Sequence, residues 1–265
     1  MRSAMSRRWR LALCLPLLAP IACGPPAPPL PATHAAGAPP HGHAHGEGRG
    51  HEHADAAHAR GAGHAHGAHA CAGANHRFDD ADRWSKVFDD PARDAWQKPD
   101  DVVRELGLQP TDVVADLGAG TGYFAARLSR HVPRGKVLAI DIEPNLIEHM
   151  KKRAEREGTA NVEPTLGTAS DPKLPAGVNV VLVVDTYHHI GERTAYFRRV
   201  RGRLSPQGRV VIVDFKKGKF PVGPPDDHKL APEVVVQEMT DAGYVQCKAF
   251  DGLPYQYMLS FAERC

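Results

Sequence analysis

Residues 116–123, which read D-L-G-A-G-T-G-Y, have the residue types and spacing best suited to binding a ligand. They end a short apolar run, residues 113–117, that predicts a buried parallel strand, and a helix is predicted over residues 121–131. Glycines at such a junction let a ligand approach the backbone, and the helix start offers free N–H groups to an acceptor. A dinucleotide fingerprint would need a small residue where Tyr123 stands. The pattern alone therefore indicates a nucleotide-like ligand.

A carboxylate follows at the end of the next predicted strand. Asp141 closes the apolar run 137–141. An acid roughly 20 residues after such a glycine motif commonly accepts hydrogen bonds from ribose hydroxyls. The sequence thus predicts a ligand that contains an adenosine.

The rest of this region alternates between apolar runs and amphipathic segments, which predicts an α/β fold with a parallel sheet covered on both faces. The predicted strands and helices are, in turn, residues 113–117, 137–141, 178–184 and 210–214, and residues 121–131, 196–204, 232–242 and a helix opened by Pro144. Ser205, Pro206 and Gly208 predict a turn. Two β-like runs, residues 244–250 and 255–261, predict an antiparallel hairpin at the sheet edge.

Five segments in this order resemble the motif set of the class I S-adenosylmethionine-dependent methyltransferases. They read V-V-A-D-L-G-A-G-T-G-Y-F, V-L-A-I-D-I-E-P, G-T-A-S-D-P-K-L-P, V-V-D-T-Y-H-H-I and L-S-P-Q-G-R-V-V-I-V-D. The resemblance covers residues 78–265 and implies a Rossmann-like, doubly wound, seven-stranded sheet, mostly parallel, with an antiparallel last strand. It also implies S-adenosylmethionine as cofactor and methyl transfer to a small-molecule acceptor, whose identity a fold cannot supply.

The resemblance implies roles for the glycine motif. Asp116 would hold the amino end of the cofactor's methionine portion. Gly118 and Gly120 would make room for the cofactor, and Gly122 would help to open the helix.

It implies further cofactor contacts at the later motifs. Asp141 would accept hydrogen bonds from the ribose, and Ile142 would pack against the adenine. Asp171 resembles the acid that receives the adenine amino group. Asp185, with Thr186 beside it, would face the methionine portion.

A proton acceptor is needed only if the methyl acceptor carries a proton. His188 is the candidate, because it follows a strand at the mouth of the expected pocket, where an imidazole could deprotonate a hydroxyl or amine. The alternative is that His188 and His189 only pack and position the backbone, and Tyr187 is equally suited to be a substrate wall. Upstream, the aromatic and charged segment 84–98 is expected to form either a lid over the cofactor or an ordinary packed helix.

Residues 1–23 predict a secretory signal, because arginines precede an unbroken uncharged run, residues 11–22. Cys23 after this run resembles the lipidated cysteine of bacterial lipoproteins, and its lipid would tether the protein to a membrane. The expected location is therefore outside the cytoplasm, as a periplasmic protein or a membrane-anchored lipoprotein. If the signal does not function, the protein would be cytoplasmic, where S-adenosylmethionine is made and used.

Residues 24–77 predict a disordered linker, Pro-rich and then His-rich, because Leu30 is its one large aliphatic residue. Closely spaced imidazoles are ligands for Zn, Ni or Cu. The metal-binding candidates are His41, His43, His45, His51, His53, His64, His66 and His69. A linker without a metal is the alternative. For the whole chain, the alternative function is an exported His-rich metal-binding protein whose methyltransferase-like domain does not catalyse.

The charge balance, 33 Lys and Arg against 31 Asp and Glu, leaves a formal net charge of +2 and gives no electrostatic argument for a nucleic-acid partner. A protein or a metalloid is a further alternative as methyl acceptor, and the metalloid is disfavoured because no cluster of pocket thiols is visible in the sequence. An oxidising compartment would permit a disulfide between Cys247 and Cys265 near the terminal hairpin. The oligomeric state is not determined by these patterns.

Overall fold

The computed structural model describes residues 80–265. The predicted signal peptide with Cys23, the predicted linker with its candidate metal ligands, and the first two residues of the predicted domain lie outside the described residues. Within the described part of the chain, no helix is long and apolar enough to cross a membrane.

Seven strands form one sheet. In chain order they are β1 (Val113–Leu117), β2 (Lys136–Asp141), β3 (Val162–Leu166), β4 (Val178–Val184), β5 (Leu204–Phe215), β6 (Val245–Phe250) and β7 (Gln256–Ala262). Their order across the sheet is β3-β2-β1-β4-β5-β7-β6. The first five strands pair in parallel, and β7 runs antiparallel to both β5 and β6. The expected doubly wound sheet with an antiparallel last strand is confirmed.

Within residues 80–265, seven α-helices accompany the sheet. They are α1 (Ala81–Phe88), α2 (Arg93–Gln97), α3 (Pro99–Leu106), α4 (Ala125–His131), α5 (Pro144–Glu157), α6 (Arg193–Arg201) and α7 (Pro232–Asp241). Short 3-10 turns cover Tyr187–His189 and Asp226–His228. Two apolar cores result, one containing Leu182 and Met150 and the other Val183 and Phe197. Because neighbouring residues of β4 face opposite cores, its sequence is a continuous apolar run.

Three elements differ from the predictions by more than one residue. Helix α4 begins at Ala125 instead of residue 121, because Gly120 and Gly122 have φ of 58° and 86°, outside the helical region. Helix α6 occupies Arg193–Arg201, so it ends before residue 204, where its end was expected. The predicted turn at residues 205–208 lies inside β5, as an irregularity between two register positions of the β4 pairing.

Strand β3 was implied by the family resemblance but not by its own residue pattern. It carries Pro164 and a charged Glu163, and none of its five residues is fully buried. It lies at the sheet edge, where a proline is tolerated because one side of the strand has no partner.

The terminal hairpin is closed covalently. Cys247 of β6 and Cys265 form a disulfide with their Cα atoms 5.4 Å apart. The bond fixes the edge strand to the end of the chain, at the pair of cysteines that the sequence permits.

Candidate functional site

The glycine loop joins β1 to α4 at the carboxyl end of the sheet. The backbone N–H groups of Gly118 and Ala119 both donate to the Ile140 carbonyl, at 2.8 and 2.9 Å. Gly118 has a φ of 73°, and a Cβ placed there would lie 2.3 Å from Oγ1 of Thr186. Only glycine fits this position, because any side chain would both strain the backbone and collide with the end of β4.

Asp141 fixes the loop from the end of β2. Its Oδ2 accepts a hydrogen bond from the Gly120 N–H at 2.9 Å, and its Oδ1 accepts one from the Glu143 N–H at 3.0 Å. Burial raises the pKa of this carboxyl above its ordinary value, and the backbone donors oppose that rise. The neighbouring Ile142 is 53% exposed, as expected of an apolar side chain that offers a surface to a ligand.

Asp116, at the end of β1, is a buried carboxylate with an unused acceptor. The residue is 2% exposed, and its Oδ2 has no hydrogen-bond partner among the described residues. Desolvation raises its pKa from 3.8 to about 7, with the Arg93 charge opposing the rise. A buried oxygen of this kind is normally satisfied, so this geometry suits a cationic ligand group such as an ammonium.

Asp185 follows β4 in a left-handed backbone conformation, with a φ of 52°. Its side chain is 21% exposed, its Oδ1 accepts from Nε2 of Gln256 at 2.5 Å, and its Oδ2 lies 3.5 Å from Nη2 of Arg93. Burial raises its pKa to about 7, against the lowering effect of Arg93. The adjacent Thr186 donates its hydroxyl to the Val184 carbonyl at 2.9 Å. Non-glycine residues in this conformation are uncommon and cluster at functional sites.

His188 and Asp214 form a buried pair where β4 and β5 end. Nδ1 of His188 lies 2.9 Å from both carboxylate oxygens of Asp214, and the His188 side chain is 4% exposed. Burial lowers the pKa of His188, but the hydrogen bond and charge of Asp214, together with the charge of Asp185, raise it above its ordinary value. With Nδ1 bound to the carboxylate, a neutral imidazole keeps Nε2 as its proton acceptor.

Sequence reasoning missed Asp214 as a partner, although it ended a predicted strand inside one of the quoted motifs. An acid at the carboxyl end of a parallel strand was the available signal. Its pairing with His188 could not be predicted, because it depends on the two strand ends lying side by side.

Asp171 lies apart from this cluster of buried carboxylates, exposed in the loop after β3. Its Oδ1 accepts from the Lys173 N–H at 2.8 Å, and its N–H donates to Oγ1 of Thr168 at 3.0 Å. The loop begins beside the candidate site, because the Gly167 N–H donates to the Asp141 carbonyl. Its role toward an adenine stays a prediction.

The predicted lid segment packs against the glycine loop. A Cβ at Gly120 would lie 3.3 Å from the Phe88 ring. Asp89 accepts hydrogen bonds from the Thr121 hydroxyl at 3.0 Å and from Nη1 of Arg153 at 2.7 Å. The segment therefore packs against the loop by specific contacts, and its role as a lid over the cofactor stays a prediction.

Among residues 80–265, no group of three or more His, Cys, Asp or Glu side chains could hold a metal ion. The candidate metal ligands of the His-rich segment precede this range, so their role stays a prediction.

Known proteins resemble this chain over the same region. A family model described as a methyltransferase domain matches residues 114–208. The aklanonic acid methyltransferase DauC of Streptomyces sp. (strain C5) is 29% identical over 112 residues, which are 41% of this chain and 50% of that protein. The chain thus matches about half the length of this curated relative.

Solved structures agree in fold. An S-adenosylmethionine-dependent methyltransferase from Aquifex aeolicus superposes with a TM-score of 0.65 at 26% identity, covering 69% of this chain and 97% of that one. The mitomycin 7-O-methyltransferase MmcR, at 15% identity and a TM-score of 0.54, covers 68% of this chain and 60% of its own, and shows the fold alone. Given the glycine loop, the carboxylates around it and these matches, residues 114–208 belong to a methyltransferase domain with the fold of an S-adenosylmethionine-dependent methyltransferase.

Proposed function

We propose that this protein transfers the methyl group of S-adenosylmethionine to a small-molecule acceptor. The observation that carries the proposal is the unused Oδ2 of buried Asp116 beside the glycine loop. The methionine portion of the cofactor offers an ammonium group, which would supply the missing donor. Asp141 and Asp185 at the neighbouring strand ends suit the ribose hydroxyls and the methionine portion.

The cofactor supplies an activated methyl group on a sulfonium. What the protein must add is alignment of the nucleophile and exclusion of water. Burial of Asp116, Asp141 and His188 supports the exclusion of water, because each of these side chains has little access to solvent.

His188 would accept the proton of a hydroxyl or amine acceptor. Asp214 supports this role because it holds the imidazole by Nδ1 and stabilises the imidazolium that forms. Since neutral imidazole is the base, and Asp214 raises the pKa of His188, the methylation rate should rise with pH through that raised value.

The experiment is to follow S-adenosylhomocysteine production by the full chain with a panel of hydroxy- and carboxy-aromatic acceptors that includes aklanonic acid. His188→Ala should abolish the pH-dependent rise on the best acceptor, and Asp214→Asn should shift the rise to lower pH. His131→Ala, an exposed histidine at the end of α4, is the matched control. Unchanged turnover in His188→Ala would remove the proton-acceptor role, and failure of the full chain to bind S-adenosylmethionine would overturn the proposed function.

We also propose that the protein is exported and tethered through a lipid on Cys23. The Arg-rich start with its uncharged run supports export, and the Cys247–Cys265 disulfide supports an oxidising compartment. In fractionated bacterial cells, wild type should sediment with membranes and Cys23→Ser should not. Recovery of wild type in the cytoplasm with its thiols reduced would contradict export.

We propose in addition that the His-rich segment binds Zn, Ni or Cu, because its imidazoles recur at short spacing within residues 41–69. Calorimetry with each metal ion should detect binding to the full chain that is lost when the eight candidate histidines are replaced by glutamine. A dissociation constant weaker than about 1 mM for every ion would contradict this proposal.

A further inference from the structure

Helix α2 lies outside the residues matched by the family model, yet it contributes a charge to the candidate site. Arg93 is 13% exposed, and its Nη2 lies 3.5 Å from Oδ2 of Asp185. Its Nε and Nη2 donate to Oε1 of Gln97 at 3.2 and 3.1 Å, and its Nη1 donates to the Phe88 carbonyl at 3.0 Å. The guanidinium is therefore held in one orientation beside the carboxylate.

Two fully buried glutamines connect the same two residues a second time. Nε2 of Gln97 donates to Oε1 of Gln256 at 2.8 Å, and Nε2 of Gln256 donates to Oδ1 of Asp185 at 2.5 Å. Each amide accepts at one end and donates at the other, so the chain of bonds runs from a cation to an anion. Both oxygens of Asp185 are thereby oriented from Arg93, one directly and one through the amides.

The charges around Asp185 come from several elements. Arg93 of α2 and His188 favour its ionised form, as does the Gln256 hydrogen bond, whereas Asp214 of β5 opposes it. Around Asp116 the principal charges are Arg93, which favours ionisation, and Asp141, which opposes it. Arg93 is the cation that acts on both buried carboxylates.

A purely structural role for Arg93 does not account for this arrangement. The Arg93 guanidinium lies 4.2 Å from the Tyr123 ring centre, but Arg127 lies 4.0 Å from that ring and pairs with Asp94 of α2 at 3.0 Å. Helix α2 is thus already attached to the domain without Arg93. Burying two amides and a carboxylate costs free energy unless each group has a hydrogen-bond partner. Attachment of helix α2 alone does not require such a buried network.

We propose that Arg93 is a positioning residue for the cofactor. It acts directly, and through Gln97 and Gln256, to hold the Asp185 carboxylate in the orientation that binds the cationic methionine portion of S-adenosylmethionine. The proposal rests on the proposed function, and it extends the cofactor site to the N-terminal segment.

The test measures the affinity of the full chain for S-adenosylmethionine by calorimetry between pH 6 and pH 9. Arg93→Met should bind about 5-fold more weakly than wild type at pH 7, since a pKa of about 7 leaves about half of the wild-type carboxylate ionised and a pKa one unit higher leaves about a tenth. The ratio between the affinities of wild type and Arg93→Met should shrink toward pH 9, where the carboxylates ionise without the Arg93 charge. Arg93→Lys should recover part of the affinity.

Arg127→Met is the matched control, because it removes a guanidinium from the same Tyr123 ring without touching Asp185. Its affinity ratio to wild type should not change with pH. If Arg93→Met does not fold by circular dichroism, Gln256→Leu breaks the amide connection while keeping the direct Arg93–Asp185 pair, and it should show a smaller loss that also shrinks toward pH 9.

Two results would overturn the proposal while the wild type binds the cofactor: an Arg93 or Gln256 variant with unchanged affinity, or a loss that is constant across the pH range. Failure of the wild type to bind would instead overturn the proposed function on which this inference rests.

Discussion

Replacing Asp116 by asparagine tests whether this carboxylate is kept ionised at a cost to stability. Burial raises its pKa from 3.8 to about 7, and one of its oxygens has no hydrogen-bond partner within residues 80–265. The folded protein therefore binds more protons than the unfolded chain between these two pH values. Stability contributed by this group falls as pH rises through that window and is lowest above pH 7.

The magnitude follows from the same values. At about 1.4 kcal/mol for each tenfold step in protonation, ionised Asp116 costs about 4 kcal/mol at pH 8. Asparagine has the same shape and no charge, but its buried N–H would find no acceptor, which costs about 1 to 3 kcal/mol. We expect Asp116→Asn to be about 1 to 3 kcal/mol more stable than wild type at pH 8.

The assay is urea unfolding of the cofactor-free full chain at pH 8 and pH 4.5, followed by circular dichroism. At pH 4.5 the variant should be no more stable than wild type, because wild-type Asp116 is then protonated when folded. Asp227→Asn, an exposed aspartate, should show no such dependence on pH. A variant that is less stable than wild type at pH 8, or that differs from it equally at both pH values, would refute the reasoning.

Two further substitutions test the loop and the hairpin. Gly118→Ala should lower stability and abolish cofactor binding, because its Cβ would collide with Thr186. Gly107→Ala is the control, since its backbone strain is similar but its Cβ would meet open space, and calorimetry should show unchanged cofactor affinity. Equal effects of the two substitutions would contradict the steric argument. Cys247→Ser should lower the free energy of unfolding by about 3 kcal/mol through loss of the loop closed by Cys265, with cofactor affinity unchanged. A reductant should destabilise wild type equally, and no effect of either change on denaturant unfolding would contradict this.

The central strands could be predicted from the sequence because their apolar composition matches their buried position in the sheet. The runs at β1 and β4 are continuous and apolar, as strands buried on both faces must be. The glycines and acids at their carboxyl ends then marked the edge of the sheet where a ligand site forms. Edge strand β3 was weak in its own pattern, since a half-exposed strand with a proline has no clear periodicity.

Pairings between distant residues could not be predicted from the sequence. The contacts of His188 with Asp214 and of Arg93 with Asp185 depend on how strand ends and the N-terminal helices meet in space. The sequence also could not show that Oδ2 of Asp116 lacks a hydrogen-bond partner among the described residues, because the motif shows only that an acid is present.

The most direct test of the central claim is calorimetric titration of S-adenosylmethionine into the full chain, with Asp141→Ala beside it. Asp141 fixes the glycine loop at Gly120 and stands where the ribose is expected, so the variant should lose binding. We expect a micromolar dissociation constant for wild type and none measurable for the variant. Absence of binding by wild type up to about 1 mM, or equal binding by both proteins, would contradict this expectation.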